Sequence, residues 1–427
     1  MDKLCISGGK PLLGTVTVGG MKNAALPIIF ATILVNDVCV LENLPDVRDI
    51  TTALEIIRCM GGVAEMLAPG TYRIDTRSVR CGSAPLDLSR SMRGSYYVLG
   101  AELGRFGRST TGFPGGCNFG VRPIDQHIKG FEALGATVIC GNDAVSCFAE
   151  SPLKGTSIYM DVASVGATAN IMLAAATAEG MTVIDNAARE PHIVDLANFL
   201  NSCGANISGA GTEVIKIRGV SELHGVTYAI IPDMIEAGTY MIAAAATKST
   251  LTISNVIPRH LEAITAKLVE MGATVEEGDD HVIVSAPERL RKARVKTDFY
   301  PGFPTDMNPQ FCVLLCLADG HSILTESVMD HRFKYTDELA RMGAKISVVG
   351  RDAHIDGIPA LSPANVRAVD LRAGAAMVIA ALAANGTTVI DDIYHIERGY
   401  EDLVGKLRAV GADIRLIRDS FAASSAR

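Results

Sequence analysis

Six times along the chain an apolar residue is followed by Gly and then by a strand-like run: MGGVAE, LGATVI, CGANIS, MGATVE, MGAKIS and VGADIR. The first glycines stand at Gly61, Gly135, Gly204, Gly272, Gly343 and Gly411, so successive copies are 68 to 74 residues apart. Such a period covers nearly all of the 427 residues and leaves no room for a large unrelated domain. Gly directly after the last helical residue is a C-cap that requires positive φ.

The copies agree upstream as well. A strand (CVLENL, TVIDNA, LTISNV, SILTES or TVIDDI) leads through a short polar turn into an amphipathic helix such as HLEAITAKLVEMGA, where Leu261, Ile264, Leu268 and Met271 share one face. Ahead of that strand lies a more apolar helix, seen in ATANIMLAAATAEG, TYMIAAAATKS, FCVLLCLADG and AAMVIAALAANG. Helices apolar on so many faces belong at the centre of their domain. Two α/β domains of three repeats each are expected, dividing near IIPDMIEAG at residues 230 to 238.

Composition narrows the function classes. Lys+Arg 39 against Asp+Glu 47 gives a net charge of -8, and the basic residues are scattered, so no nucleic-acid surface is expected. The longest apolar run, AALPIIFATILV at 24 to 35, has 12 residues and contains Pro27, too short for a membrane span. The start, MDKLCISGGK, lacks the apolar stretch of a secretion signal, which makes a cytoplasmic location the expectation. Ten unpatterned cysteines suit a reducing compartment, and most read as small buried apolar residues. There is no Cys-x-x-Cys, no His-x-x-x-His and no GxxxxGK[ST], so zinc and P-loop chemistry lack their usual signatures.

Chemistry must come from where the repeats differ. The second copy stretches its strand-to-helix turn into TTGFPGGCNFGVRPIDQH, residues 110 to 127, which reads as an exposed mobile loop. Cys117 there is either one more buried thiol or a reactive one, and its glycine neighbours argue against burial. By contrast Cys312 and Cys316, four apart in FCVLLC, read as core. In VTVGGMKNAALP, Lys22 and Asn23 stand between a strand and an apolar helix, either as an anion site or as a solvated Lys beside an Asn N-cap. In YPGFPTDMNPQF, Asp306 precedes another apolar helix, where an N-cap is the favoured local role and Asn would preserve it. Arg93, Arg332, Arg372 and Arg398 occupy comparable junctions, and arginines converging on one cleft would bind phosphate or carboxylate.

The segments GGMKNAALP, RSMRGSYYVLG, PGGCNFGVRPIDQHIKGFEALGA, ASVGAT, NAAREPHIVD, YPGFPTDMN, DLRAGAA and IYHIERGYE resemble, in order from residue 3 to about 415, the UDP-N-acetylglucosamine 1-carboxyvinyltransferase family of enolpyruvyl transferases. The sister family, 5-enolpyruvylshikimate-3-phosphate synthase, shares the six-unit fold but lacks the cysteine loop. The resemblance implies a two-domain inside-out α/β barrel of six repeats of about 70 residues, three per domain, with residues 21–229 as one domain and 1–20 plus 230–427 as the other. It implies transfer of enolpyruvyl from phosphoenolpyruvate to the 3-hydroxyl of UDP-N-acetylglucosamine without metal or organic cofactor; charge and hydropathy lead to no nucleic-acid or membrane partner, and a monomer is expected although the sequence itself leaves the oligomeric state open.

By motif, the resemblance makes Cys117 the general acid and the target of the epoxide fosfomycin. Lys22, Arg122 and Arg398 would clamp phosphate and carboxylate, with Asn23 beside the reacting atoms and Asp306 orienting and deprotonating the sugar hydroxyl. Arg93, the segment Arg122, Pro123, Ile124, Asp125 and Gln126, and Ser164, Val165 and Val328 would hold the nucleotide sugar, and Arg332, Asp370 and Arg372 would complete the charged site. Some relatives carry Lys where this chain has Val162, so a charged nucleotide contact there does not carry over. Two alternatives are the shikimate-pathway transferase and a silent paralogue that senses the nucleotide sugar.

Overall fold

All six repeat glycines adopt the left-handed backbone their position demands, with φ between 88° and 101°. The computed structural model describes residues 2–82, 84–113 and 123–418. The chain divides into two units, one of Gly20–Ile231 and one of Met1–Gly19 with Pro232–Arg427, passing from one to the other at 19–20 and again at 231–232.

The Gly20–Ile231 unit contains α1 (Lys22–Val35), α2 (Arg48–Cys59), α3 (Leu86–Ser91), α4 (Tyr97–Phe106), α5 (Asp125–Ala133), α6 (Val165–Ala175) and α7 (Pro191–Ser202). Helices α1, α4 and α6 pack on one another, and every residue of α1 from Ala24 to Val35 is buried. Small residues allow the approach: a Cβ on Gly100 of α4 would stand 2.5 Å from the Asn170 carbonyl oxygen of α6. Asn170 is itself fully buried, and its side chain accepts from Gly100 N at 2.9 Å and pairs with His127 Nδ1 at 3.0 Å.

The other unit contains α8 (Met234–Ala246), α9 (Glu262–Glu270), α10 (Asn308–Cys316), α11 (Thr336–Arg341), α12 (Leu371–Ala383) and α13 (Leu403–Ala409). Here α8, α10 and α12 form the central trio. The amphipathic face read from the sequence is present, with Leu261, Ile264, Leu268 and Met271 all 1% exposed or less. Its first turn, Pro258–Leu261, is a 3-10 helix.

Among the described residues each unit holds three sheets, and five of the six share one strand order. In the first, Thr227–Ala229 runs parallel to Val38–Glu42, which pairs antiparallel with Thr71–Asp75, which pairs with Val63–Ala68. The sixth repeat reaches the same order by a different route. Its central hairpin strand is the chain's own Lys3–Ser7, inserted antiparallel between Thr387–Asp391 and Asp413–Ile417. The next strand, Leu13–Thr17, lies parallel to Thr250–Ser254.

One local expectation is corrected. Residues 110 to 112 belong to a strand, Arg108–Gly112, and Asp125 already opens α5, because Thr111 is buried and the strand pairs with Ala144–Phe148. Of the nine described cysteines, Cys39, Cys147, Cys203, Cys312 and Cys316 are buried, whereas Cys59 and Cys140 are exposed and Cys5 and Cys81 lie between. Five of these nine are buried, as was expected of most of them. No helix among the described residues is long and apolar enough to cross a membrane.

The last strand of the Gly20–Ile231 unit is tied down by Asp195 of α7. Its carboxylate, 2% exposed, accepts from the Tyr228 hydroxyl at 2.6 Å and Ile231 N at 3.4 Å. Burial outweighs these two bonds and pushes the Asp195 pKa up to about 6. Below its unfolded value near 3.8 the group is protonated in both states, and as pH rises through 6 the native state must ionise it at a cost. Asp195→Asn keeps an acceptor without that cost, so between pH 4 and pH 7 it should gain about 3 kcal/mol relative to the parent in urea titrations. A difference that stays constant with pH would contradict this account.

Candidate active site

In the Gly20–Ile231 unit the expected residues collect at the N-terminal ends of the central helices. Lys22 opens α1, and its ammonium, only 12% exposed, donates to Asp49 Oδ2 at 3.0 Å from the first turn of α2. Asn23 is the second helical residue, so it is not the N-cap: Met21 holds that place with no side-chain bond. Arg93 begins the short 3-10 turn Arg93–Tyr96 that leads into α4, and Gly94 abuts Leu26 one turn into α1.

A second group surrounds His127. Its ring is tilted against Tyr96 at 5.6 Å, and Gly166 at the start of α6 faces its Nε2. Burial, and after it the Arg93 charge, lower the His127 pKa to about 4, so this ring is neutral at pH 7. Arg93, the head of α5 and the head of α6 thus surround one imidazole. Ser164 caps α6 by accepting from Ala167 N at 3.3 Å, with Val165 next to it. Gln126 is buried and committed: its Nδ-equivalent amide, Nε2, donates to Asp125 Oδ2 at 2.8 Å and Asp161 Oδ2 at 3.1 Å, and its Oε1 accepts from Asp161 N. Pro123 and Asp125 are exposed, Ile124 is half-buried, and Val162 is 52% exposed. Cys117 and Arg122 lie outside the described residues.

In the other unit Asp306 is the focus. It sits in the 3-10 turn Thr305–Met307, and α10 begins two residues later with Met307 as an N-cap that makes no side-chain bond. The N-cap reading is therefore wrong, because the carboxylate is drawn away by two arginines. Arg372 donates to Asp306 Oδ2 from Nε at 3.1 Å and Nη2 at 3.0 Å, and Arg332 Nη2 reaches Oδ1 at 3.4 Å. Both guanidinium side chains are at most 5% exposed. Burial opposes the Arg372 charge, but Asp306, Tyr400 and Asp233 outweigh it and hold the pKa above its ordinary value. Asp370 caps α12, accepting from Arg372 N and Ala373 N at 2.9 Å each.

Arg398 ends the 3-10 turn Ile393–Arg398, and the following Gly399 lies against Leu371 at the head of α12. Two residues on, the Tyr400 ring lies 5.4 Å under the Arg372 guanidinium, and its hydroxyl meets Thr239 Oγ1 at 2.9 Å. Val328 donates its backbone N–H to Glu326 Oε1 at 2.9 Å. Asp306, Arg332, Asp370 and Arg372 are thus joined by direct bonds, and Val328 bonds to Glu326. Sequence reasoning missed Asp49, Glu326 and Tyr400. A buried acid at the start of α2 or just after a strand looks like surface polarity until its distant partner is known.

A profile of the family described as EPSP synthase (3-phosphoshikimate 1-carboxyvinyltransferase) matches residues 6–407. Over 98% of this chain and all of the relative, the sequence is 54% identical to UDP-N-acetylglucosamine 1-carboxyvinyltransferase 3 of Caldanaerobacter subterraneus subsp. tengcongensis. It is 51% identical to UDP-N-acetylglucosamine 1-carboxyvinyltransferase 2 of Bacillus subtilis over 97% of this chain and 96% of the relative. The chain belongs to the UDP-N-acetylglucosamine 1-carboxyvinyltransferase family. Among solved structures, the enolpyruvyl transferase NikO from Streptomyces tendae superposes with a TM-score of 0.88 at 28% identity, covering 97% of this chain and 99% of that one. EPSP synthase from Acinetobacter baumannii shares the α/β fold with a TM-score of 0.77 at 19% identity, covering 98% and 100%.

For a member of this carboxyvinyltransferase family, the Asp306 geometry has a direct consequence for stability. Asp306→Asn removes the anion that two buried guanidinium groups face, so it should lower the unfolding free energy by about 1.5–3 kcal/mol. Urea denaturation monitored by circular dichroism measures this. An unchanged midpoint would mean that the two arginine contacts carry no stability.

Proposed function

We propose that this chain transfers the enolpyruvyl group of phosphoenolpyruvate to the 3-hydroxyl of UDP-N-acetylglucosamine and releases inorganic phosphate, committing the nucleotide sugar to peptidoglycan precursors. The observation that carries the chemistry is Asp306 held by Arg372 and Arg332. A carboxylate that already accepts from two guanidinium groups is a weak base. It orients a sugar hydroxyl in the ground state and takes its proton as the new C–O bond forms. The near-full-length identity to transferases acting on UDP-N-acetylglucosamine supports the acceptor.

The reaction then runs by addition and elimination. The 3-oxygen attacks C2 of phosphoenolpyruvate, its proton passes to Asp306, and the Cys117 thiol gives a proton to C3. The Cys117 thiolate then takes a proton back from C3 as the C2–O bond to phosphate breaks, which restores the double bond and the thiol, and the proton held by Asp306 leaves with the inorganic phosphate. Lys22, Arg122 and Arg398 supply cations for the phosphate and carboxylate, and Lys22 is pre-aimed by Asp49. Asn23 lies beside the reacting atoms. Arg93, Arg122 to Gln126, Ser164, Val165 and Val328 hold the nucleotide sugar, with Arg332, Asp370 and Arg372 completing the charged set. The neutral His127 beside Arg93 leaves that arginine as the cation facing a diphosphate. The domains are three-repeat inside-out α/β barrels, residues 21–229 and 1–20 with 230–427, in a cytoplasmic monomer that needs no cofactor.

The deciding assay is phosphate release from phosphoenolpyruvate. It should require UDP-N-acetylglucosamine, and shikimate 3-phosphate should not replace it. Equal rates with shikimate 3-phosphate would overturn the acceptor. A second assay addresses the acid. Fosfomycin should alkylate Cys117 alone among the ten cysteines, faster with UDP-N-acetylglucosamine present, and Cys117→Ser should abolish labelling and lower turnover by about 100-fold or more. Peptide mapping that puts the adduct on Cys59 or Cys140 would remove Cys117 from this role.

A further inference from the structure

One position of the repeat does the same work in three copies and the reverse in a fourth. Asn43, Asn186 and Asn255 follow their sheet strands with φ of 56°, 57° and 55°. Each donates from Nδ2 to a carbonyl just beyond the neighbouring parallel strand: Ile230 O at 2.8 Å, Met160 O at 2.8 Å and Val18 O at 2.7 Å. Backbone bonds fix the equivalence, since Ile230 N, Met160 N and Val18 N donate to Glu42 O, Asp185 O and Ser254 O, the residues just before the asparagines. In the fifth copy Thr297 N donates to Thr325 O in the same way, so Glu326 occupies the asparagine position.

Glu326 is 2% exposed and is not among the residues of positive φ. Its side chain receives instead of donating. Oε1 accepts from Thr297 Oγ1 at 2.8 Å, Val328 N at 2.9 Å and Met329 N at 2.8 Å. Oε2 accepts from Thr305 Oγ1 at 3.0 Å and Asn308 Nδ2 at 2.9 Å. The Thr297 carbonyl, which an asparagine would have satisfied, is taken by the Ser327 hydroxyl. Thr305 and Asn308 flank the turn that carries Asp306, and Asn308 Oδ1 accepts from the Tyr335 hydroxyl at 2.6 Å at the end of the turn that begins with Arg332. One buried carboxylate therefore ties together the Asp306 turn, the Arg332 turn and the backbone at Val328.

We propose that Glu326 is a positioning residue for the transfer reaction, holding through Thr305 and Asn308 the turn that aims Asp306. The proposal rests on Asp306 acting on the sugar hydroxyl. A glutamate in place of the asparagine of those three copies removes a simple strand-end tether and installs an acceptor beside the turn that carries Asp306; the sixth copy, where Ala368 N donates to Asp391 O, also has an acid there, Asp392, but keeps the positive φ, at 60°. A donor network around one carboxylate is directional: every partner must approach along a lone pair, which fixes the turn more tightly than apolar packing would.

Glu326→Gln tests it. The amide NH₂ cannot face the two backbone N–H groups of Val328 and Met329, so it turns toward Thr305, whose hydroxyl can accept, and toward Asn308, whose NH₂ cannot. The disturbance falls on the Asp306 side while the Val328 side keeps its oxygen. Turnover should fall about tenfold or more, with KM for UDP-N-acetylglucosamine within about twofold of the parent. In an Asp306→Asn background, assayed where circular dichroism shows both proteins folded, the same change should cost less than about twofold. Unchanged turnover in Glu326→Gln, or the full loss repeated in the Asp306→Asn background, overturns the proposal. Normal turnover in Asp306→Asn alone would instead strike the reading of Asp306. If Glu326→Gln does not accumulate folded, Thr305→Val removes a single donor and should lower turnover about threefold or more, again without effect beside Asp306→Asn. Parental turnover in Thr305→Val overturns the proposal equally.

Discussion

Burying whole helices forces their ends to be solved one by one, and that requirement organises each unit. A helix enclosed by its neighbours cannot leave its first N–H groups to water, so each must find a side chain, a backbone carbonyl or a ligand. Asp233 and Asp370 meet it for α8 and α12, and Ser164 for α6. The others begin without a side-chain cap, at Met21 for α1, Tyr96 for α4 and Met307 for α10. Those three helices are the ones whose opening turns carry or follow Lys22, Arg93 and Asp306. Within each unit, the residues with chemical potential stand at the heads of the central helices, where partial positive charge suits phosphate and carboxylate.

The charged residues are held before any substrate arrives. Lys22 has Asp49, Arg372 and Arg332 have Asp306, and Asp306 has the turn fixed by Glu326. Each pair keeps a buried cation compensated before substrate binds. It also limits the conformational entropy lost on binding, since the side chains are already confined.

The repeat was legible because it is written in one residue type with one conformational demand. Gly61 through Gly411 announce helix ends by what they lack, and no tertiary information is needed to read them. Leu261, Ile264, Leu268 and Met271 were equally plain from periodicity. The Asp306 N-cap failed for the opposite reason. Its partners, Arg332 and Arg372, lie 26 and 66 residues away, so a local rule assigned to a helix terminus a carboxylate that long-range charge had claimed. Of the two readings of the Lys22 and Asn23 junction, the Asn N-cap falls for a simpler reason: Asn23 is the second residue of α1 and Met21 holds the cap position. Glu326 was visible as a break in the strand-end pattern from Asn43, Asn186 and Asn255, but five donors from separate segments were needed to give the break meaning.

The strand Lys3–Ser7 is synthesised long before either of its sheet neighbours, Thr387–Asp391 and Asp413–Ile417. Gly20–Ile231 is one continuous stretch and can complete its sheets while the rest of the chain is still on the ribosome. The other unit cannot. Its strand Lys3–Ser7 must remain unpaired until nearly 400 residues have followed, and the closure that inserts it between two later strands is the longest-range pairing among the described residues. The unit bearing Asp306, Arg332 and Arg372 is therefore the one whose assembly waits until Asp413–Ile417 has been made.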